Sequence, residues 1–213
     1  GAGKFVDSYQ EDETTDFHTM VSEMADIPRK QAKTINLGLF YGMGKGKLMS
    51  QLGVTLETAS ELLASYNERV PFVKQLMNDT MNKAGKKGYL STLEGRRCRF
   101  DQWEPTNEWG QKSLPLAEAQ QQYGEHMIKR AWTYKALNRL IQGSAADQTK
   151  KAMLELDKEG YLAHIQVHDE LDFSVASDAD KAKIKDIMEN CVELSVPSKV
   201  DVECGDNWGD AGD

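Results

Sequence analysis

The sequence has 213 residues, enough for one domain or for two subdomains that share a boundary. Hydrophobic residues make up 39% of it, and no stretch approaches the roughly 18 apolar residues of a membrane helix, so no membrane span is predicted. The formal net charge of −8 argues against a uniformly basic nucleic-acid binder. However, residues 27–56 hold five basic residues and no acidic one, which leaves room for a local phosphate-binding surface.

In chain order, hydrophobic periodicity and breaker residues predict the following elements. Helices are expected at 17–25, 29–41, 55–68, 71–83, 116–133, 137–158 and 181–194. Hairpins are expected within 88–100 and 162–176, with an irregular segment at 101–113 and a last short strand at 199–203. These elements indicate an α+β protein, with a helical block followed by a small antiparallel sheet and packed helices.

The three cysteines are odd in number, far apart and never in a Cys-x-x-Cys pair. This pattern favours reduced thiols over a disulfide framework or a zinc site, and it predicts a cytoplasmic protein. The polar, acidic N-terminal segment does not resemble a secretory signal.

The predicted helix at 29–41 carries a regular stripe. Arg29, Lys33, Leu37 and Tyr41 are each four residues apart, so they lie along one helix face. Two cations near the helix N-terminus suit a polyphosphate, and the aromatic end suits a nucleobase. The alternative is a surface helix with two solvated cations and an apolar packing edge.

Two further groups have open interpretations. Asp169 and Glu170 lie between two predicted strands, where adjacent carboxylates can offer oxygen ligands to a hard divalent cation; a solvated acidic turn is the alternative. Asn138 and Gln142 are four residues apart, so they lie on one face of a predicted helix. Two interpretations are open: contacts to the DNA minor groove, or a buried amide pair.

These residues also form longer patterns. Residues 29–42 fit Arg-x3-Lys-x7-Tyr-Gly, with Asn36 and Gly38 at further matching positions. Residues 168–170 read His-Asp-Glu, and residues 138–147 fit Asn-x3-Gln-Gly-x-Ala-Ala-Asp. Shorter matches are Asp-Phe-His-Thr at 16–19, Thr-x-x-Gly-Arg-Arg at 92–97 and Gly-Asp-Asn-Trp at 205–208. Together they resemble the family A DNA polymerases, over nearly the whole chain.

The resemblance implies roles for the nucleotide-binding residues. Arg29, Lys33 and His18 would contact the triphosphate of an incoming deoxynucleotide, and Lys33 would protonate the leaving pyrophosphate. Tyr41 would lie against the templating position. Leu37 occupies a place where family members carry Phe or Tyr, which makes sugar selectivity the property most open to change.

The resemblance also implies roles at the DNA and at the metals. Asp169 and Glu170 would be catalytic ligands of two Mg²⁺ ions. Contacts to DNA are expected from Asn138, Gln142, His168, Arg96 and Arg97. Residues 1–130 would form the fingers subdomain and residues 131–213 part of the palm. The Arg-x3-Lys-x7-Tyr-Gly pattern at 29–42 corresponds to the family's motif B, and the His-Asp-Glu sequence in the hairpin at 162–176 to its motif C.

The family's motif A, which carries the other catalytic aspartate, has no match in the sequence. By family spacing it is expected shortly before Gly1. We therefore expect two Mg²⁺ ions to be shared with an upstream aspartate, and the isolated chain to be inactive. Expected partners are primer-template DNA, a deoxynucleotide, and a segment or separate polypeptide with the thumb and motif A. The alternative is a non-catalytic nucleic-acid-binding or assembly module derived from a polymerase.

Overall fold

The computed structural model describes residues 2–12, 14–40, 43–107 and 110–211. The chain forms two compact units, Gly1–Phe5 with Thr15–Gln142 and Val6–Thr14 with Gly143–Asp213. The subdomain boundary expected at residues 130/131 stays a prediction, because compactness alone does not define fingers and palm. No helix in the described ranges has the length and apolar character needed to cross a membrane.

Helices dominate the first unit. Their bounds are α1 Gly3–Glu11, α2 Phe17–Ala25, α3 Arg29–Phe40, α4 Lys45–Leu52, α5 Leu56–Arg69, α6 Pro71–Lys87 and α7 Leu116–Tyr123. The predicted helices at 17–25, 29–41, 55–68 and 71–83 are present, with small shifts in their ends. Helices α1 and α4 were not predicted.

Local sequence explains several helix ends. The Asp16 side chain accepts hydrogen bonds from the backbone N–H groups of His18 and Thr19 at the start of α2. Thr55 caps α5 in the same way, through the N–H of Thr58. Gly88 ends α6 with φ of +77°, a conformation that glycine adopts without steric cost.

The core of the first unit is built from residues of the six helices α1, α2, α3, α4, α5 and α6, together with Val70 between α5 and α6. Its buried members are Phe5, Val21, Ala32, Ile35, Leu48, Tyr66, Val70 and Val73. Phe5 of α1 contacts the ring of Phe17 at 5.2 Å and that of Phe72 at 5.1 Å between centroids. This core fixes α2 against α3, the two helices that carry the predicted nucleotide-binding residues.

Two small antiparallel sheets complete the first unit. Strands β1 Tyr89–Ser91 and β2 Arg97–Arg99 form the predicted hairpin, whose loop holds Glu94 and Gly95. Strands β3 Gln102–Pro105, β4 Leu114–Pro115 and β5 Ile128–Arg130 form a sheet in the order β4-β3-β5. The prediction of an irregular segment at 101–113 was therefore wrong, as was a helix running to residue 133. Helix α7 instead stops at Gly124, whose φ is +89°.

The second unit contains residues 6–11 of α1, a hairpin, most of one long helix and a last helix. Helix α8, Ala136–Lys158, begins in the first unit and ends in the second. It is followed by β6 Ile165–Val167, β7 Glu170–Asp172 and α9 Asp178–Asn190. The described residues 199–203 form no strand, so that prediction was wrong. The α+β class, with helices and small antiparallel sheets, is confirmed.

Candidate active site

Helix α3 separates a buried face from an exposed one. Ala32, Ile35 and Asn36 are buried, whereas Arg29 and Lys33 are exposed. Leu37 continues the exposed stripe, with 39% of its surface accessible. The face predicted from four-residue spacing therefore points to solvent, where a ligand can reach it. Tyr41 and Gly42, the last two positions of motif B, lie outside the described residues.

Arg29 is anchored to the start of α2. Its Nε donates to Asp16 Oδ2 at 2.7 Å and to Thr19 Oγ1 at 3.2 Å. The Thr19 hydroxyl itself donates to Asp16 Oδ2 at 2.6 Å. These hydrogen bonds hold the pKa of the Asp16 carboxyl far below its usual range, the Thr19 hydroxyl contributing most and Arg29 next. Because only Nε is engaged in these contacts, the two terminal guanidinium nitrogens can turn toward an anion.

His18 lies on α2 beside the same cations. Asn36 Nδ2 is 3.0 Å from His18 Nδ1, and Asn36 Oδ1 accepts a hydrogen bond from the Tyr66 hydroxyl. Burial lowers the pKa of the His18 imidazole; Asp16 opposes this, while Arg29 and Lys33 lower the pKa further. The charges of Arg29 and Lys33 therefore act on the His18 ring, and the contact with Asn36 places that ring against α3.

The basic turn between β1 and β2 has a clear local cause. Thr92 is buried, and its Oγ1 accepts a hydrogen bond from Arg96 N at 3.0 Å. The N–H of Gly95, at φ of +81°, donates to Thr92 O, also at 3.0 Å. A threonine and a glycine three residues later are therefore needed to close the turn. Arg96 and Arg97 are exposed beside it, and the Arg97 guanidinium lies 4.8 Å from the centre of the Tyr89 ring.

Helix α8 carries the predicted minor-groove residues on its first two turns. Asn138 is half-buried and Gln142 is exposed, so they do not form a buried amide pair. The neighbouring Arg139 is held differently: its guanidinium lies 4.7 Å from the centre of the Phe100 ring and donates to Arg99 O at 2.8 Å. Among the described residues, none hydrogen-bonds to the Asn138 side chain. Asn138 can therefore offer its amide to a ligand.

In the second unit, β6 and β7 meet in a two-residue turn. Val167 pairs with Glu170, which places His168 and Asp169 at the tip. His168 adopts φ of +53°, and Gln166 Nε2 donates to its carbonyl at 2.6 Å. Glu170 is the first residue of β7 and not part of the turn. The carboxylates of Asp169 and Glu170 are both exposed at this end of the hairpin.

The Gly-Asp-Asn-Trp segment contacts this hairpin. Trp208 Nε1 donates to Glu170 Oε1 at 3.3 Å. Asn207 shapes the segment by accepting from Gly209 N at 3.0 Å and by donating to the Asp210 carboxylate. A Cβ at Gly205 would come within 2.7 Å of the Asp210 backbone, so a glycine is required there.

The donor set of the hairpin suits a hard divalent cation. Asp169 and Glu170 offer exposed carboxylate oxygens, the ligand type that Mg²⁺ prefers. Within the described ranges, no group of three or more His, Cys, Asp or Glu side chains is placed to hold a metal ion. The two hairpin carboxylates can therefore contribute to a magnesium site as part of a larger ligand set.

Three residues that contact the predicted site residues or Asn36 were not themselves predicted as site residues: Asp16, Thr19 and the buried Tyr66. Asp16 and Thr19 could have been inferred from capping, because Asp followed three residues later by Thr starts a helix beside Arg29. Tyr66 has no local signal, since it meets Asn36 from 30 positions away.

A helical unit with a cationic helix face and a small antiparallel unit with a carboxylate hairpin define a polymerase-type domain. A family model described as DNA polymerase family A matches residues 4–210. The chain therefore belongs to DNA polymerase family A.

Relatives and solved structures agree with this assignment. The chain is 38% identical to a DNA-directed DNA polymerase of Pseudomonas phage M6 over 95% of its length, and 33% identical to DNA polymerase I of Bacillus subtilis over 92%. It covers 32% and 21% of those proteins, so it spans a third of their length or less. The POL domain of Pol1 from M. smegmatis, solved in complex with DNA primer-template and dNTP, matches 98% of this chain and 36% of that one. The TM-score is 0.75 at 28% identity.

Proposed function

We propose that this chain provides the nucleotide-binding and primer-end surfaces for template-directed DNA synthesis. In this reaction the primer 3′-oxygen forms a bond to the α-phosphorus of a deoxynucleoside triphosphate, and the bond to the β-phosphate oxygen breaks. The observation that carries the proposal is the arrangement of α2 and α3 in a family A chain. Arg29 bonds to Asp16 at the start of α2, the half-buried His18 lies 3.0 Å from Asn36 of α3, and Arg29 and Lys33 are exposed.

The α2–α3 surface would hold the triphosphate. Arg29 and Lys33 neutralise phosphate charge, and the Arg29 guanidinium keeps its fixed orientation through Asp16. Lys33 Nζ can give a proton to the departing pyrophosphate oxygen. Leu37, next on the exposed stripe, would contact the sugar, and Tyr41 would contact the templating position.

DNA contacts would come from separate elements. Asn138 and Gln142 on α8 offer amide groups to the minor-groove acceptors, which all four base pairs present. Arg96 and Arg97 beside the Thr92 turn would contact the sugar-phosphate backbone, and His168 the primer end. The M. smegmatis Pol1 domain, solved with primer-template and dNTP, supports DNA and a nucleotide as partners for this fold.

At the hairpin, Asp169 and Glu170 would hold Mg²⁺, with Trp208 orienting Glu170. When bound, a pair of magnesium ions supplies charge neutralisation at the attacking and leaving oxygens. We further propose that these two carboxylates act with an aspartate of motif A, contributed by another segment or polypeptide that also carries the thumb. The isolated chain would then bind nucleotide but extend primers at most feebly.

Complementation tests this proposal. The chain is mixed with a polypeptide containing the part of the phage M6 polymerase outside its match to this chain, and extension of a labelled primer is measured with Mg²⁺. We expect extension only from the mixture, and loss of about a thousandfold or more with Asp169→Ala. Asp201→Asn removes an exposed carboxylate from the same unit and is the matched control, with activity unchanged.

Two results would contradict the proposal. Extension by the isolated chain at the rate of the mixture would refute the need for a second segment. DNA binding that is indifferent to Asp169→Ala, together with no extension from any mixture or fusion, would favour the non-catalytic module.

A further inference from the structure

The imidazole of His18 is held from one edge by a buried pair of side chains. Asn36 Nδ2 lies 3.0 Å from Nδ1, and the Tyr66 hydroxyl donates to Asn36 Oδ1. Asn36 and Tyr66 both have 0% of their surface exposed. Among the described residues, none hydrogen-bonds to Nε2 on the opposite edge of the ring. We call these three side chains the His18–Asn36–Tyr66 relay.

The Tyr66 hydroxyl decides which way the Asn36 amide points. Burial raises the pKa of this phenol, so it stays protonated and must donate its hydrogen bond. If the amide were reversed, Nδ2 would donate to the phenol oxygen. The phenol hydrogen would then be buried without this acceptor, which is unfavourable because a buried donor loses its hydrogen bonds to water without replacement. The observed orientation satisfies both groups.

The amide orientation in turn fixes the histidine. Asn36 Nδ2 can only donate, so His18 Nδ1 must accept and cannot carry a proton. The ring proton therefore resides on Nε2.

We propose that Asn36 and Tyr66 are positioning residues that hold His18 as a neutral N–H donor, which directs its Nε2–H to a phosphate oxygen beside Arg29 and Lys33. The proposal deepens the proposed nucleotide-binding function and rests on it. In this arrangement the charge of the surface comes from Arg29, Lys33 and Asp16. The neutral His18 ring contributes one directed hydrogen bond from Nε2–H.

The surrounding charges agree with a neutral ring. Arg29 and Lys33 disfavour a third cation, and burial lowers the imidazole pKa most. The Asp16 carboxylate opposes these effects, but its oxygens already accept from Thr19 and Arg29.

Nuclear magnetic resonance of the ¹⁵N-histidine-labelled full chain tests the relay. Long-range ¹H–¹⁵N spectra distinguish the two neutral tautomers and the cation, and His18→Gln assigns the signal. We expect an unprotonated Nδ1 in the wild-type chain. Asn36→Asp places an acceptor against Nδ1, so His18 should become protonated there; Asn82→Asp, exposed on α6, should leave the signal unchanged.

Tyr66→Phe provides a second, volume-conserving variant. It frees the amide to rotate, so His18 should move toward a mixture of tautomers. The signals of His126, His164 and His168 are internal controls and should not move. A His18 signal unchanged in both Asn36→Asp and Tyr66→Phe would overturn the relay.

Binding of inorganic triphosphate, measured by calorimetry, tests the donor role. His18→Gln keeps a neutral N–H donor and should bind within about threefold of wild type, whereas His18→Phe should bind about tenfold more weakly. Between about pH 6.5 and 8.5, the affinities of wild type and His18→Gln should change in parallel. A steeper gain for wild type on acidification would show that His18 acts as a cation.

The two measurements separate the two proposals. If wild type does not bind triphosphate, the proposed function and the donor role both fail, even where the spectra show the relay. If triphosphate binds but the His18 signal is the same in wild type, Asn36→Asp and Tyr66→Phe, the relay is wrong and the proposed function stands.

Discussion

Trp208 Nε1 donates a hydrogen bond to Glu170 Oε1, 3.3 Å away, although 38 positions separate the two residues. The contact is solvent-accessible, with 55% of the Trp208 surface exposed. It restrains one oxygen of Glu170, and the other three oxygens of the Asp169–Glu170 pair accept no hydrogen bond from the described residues. An outer hydrogen bond of this kind orients a metal ligand without touching the metal.

Trp208→Phe should therefore alter the response to magnesium more than the stability. Phenylalanine keeps an aromatic side chain but lacks the indole N–H, so the concentration of Mg²⁺ for half-maximal primer extension should rise by up to about tenfold. The measurement is a Mg²⁺ titration of the complemented enzyme. Trp132→Phe, at a similarly exposed tryptophan in the first unit, is the control. Equal behaviour of the two variants would contradict the role of Trp208.

On α3, the effect of removing a cation on nucleotide binding should depend on its position. Arg29→Ala and Lys33→Ala should each weaken dATP binding by about tenfold, because each removes a charged phosphate contact. Lys30→Ala removes an equally exposed cation from an adjacent helix position and should change affinity by less than about twofold. Calorimetry gives the three values. A similar loss in all three variants would mean that general charge, not a defined site, attracts the nucleotide.

Gly88 makes a prediction about stability. Alanine there must adopt φ of +77°, and its Cβ would lie 2.6 Å from Arg130 Cζ. Arg130 would have to leave the Trp103 ring, 4.6 Å away, and the Phe100 carbonyl. Gly88→Ala should therefore lower the free energy of unfolding by about 2–4 kcal/mol.

Gly53→Ala is the matched control for this change. Its φ of +67° imposes a similar backbone cost, but apart from its chain neighbours no described residue has an atom within 4 Å of the new Cβ. We expect a loss of about 1–2 kcal/mol in urea unfolding. Equal losses in the two variants would show that Arg130 adapts without cost.

Asp16 should make stability depend on pH. Hydrogen bonds from Thr19 and Arg29 depress its pKa in the folded state, so its stabilisation is complete above the ordinary aspartate pKa of about 3.9 and is lost as the pH falls through the folded value. Asp16→Asn keeps a helix cap but removes this charge. The variant should be less stable than wild type near neutral pH by less than about 1 kcal/mol, and the difference should shrink toward pH 2.

Urea midpoints across the acid range provide the measurement. Asp26→Asn is the control, because Asp26 ends the same helix at φ of +52° without a side-chain hydrogen bond among the described residues. The loss caused by Asp16→Asn should depend on pH more strongly than that of this control. A difference between Asp16→Asn and wild type that stays constant across the range would contradict the depressed pKa.

The motif-bearing elements were the ones that sequence could predict. Helix α3 and the β6–β7 hairpin carry regular spacing together with flanking breakers, so local patterns sufficed. Helix α4 was missed because Gly44 and Gly46 indicated an end. Gly44 instead starts the helix in an extended conformation, and Gly53 ends it.

Non-local pairing explains the other errors. Strands β3, β4 and β5 are two to four residues long, and Trp103 pairs with Arg130 across 27 positions. Such short strands have too few residues to show an alternation of their own. For the same reason the exposed stripe of Arg29 and Lys33 was predictable, whereas the contact of Asn36 with Tyr66 was not.

Tyr66 belongs both to the apolar core and to the His18–Asn36–Tyr66 relay. Any opening of α5 that exposes its phenol also releases the Asn36 amide and lets the His18 ring rotate. Hydrogen exchange of α5 and the residence time of a phosphate bound at His18 should therefore both depend on this opening of α5. Under the proposed function, natural variation in this core would alter nucleotide binding without replacing a residue that contacts the nucleotide.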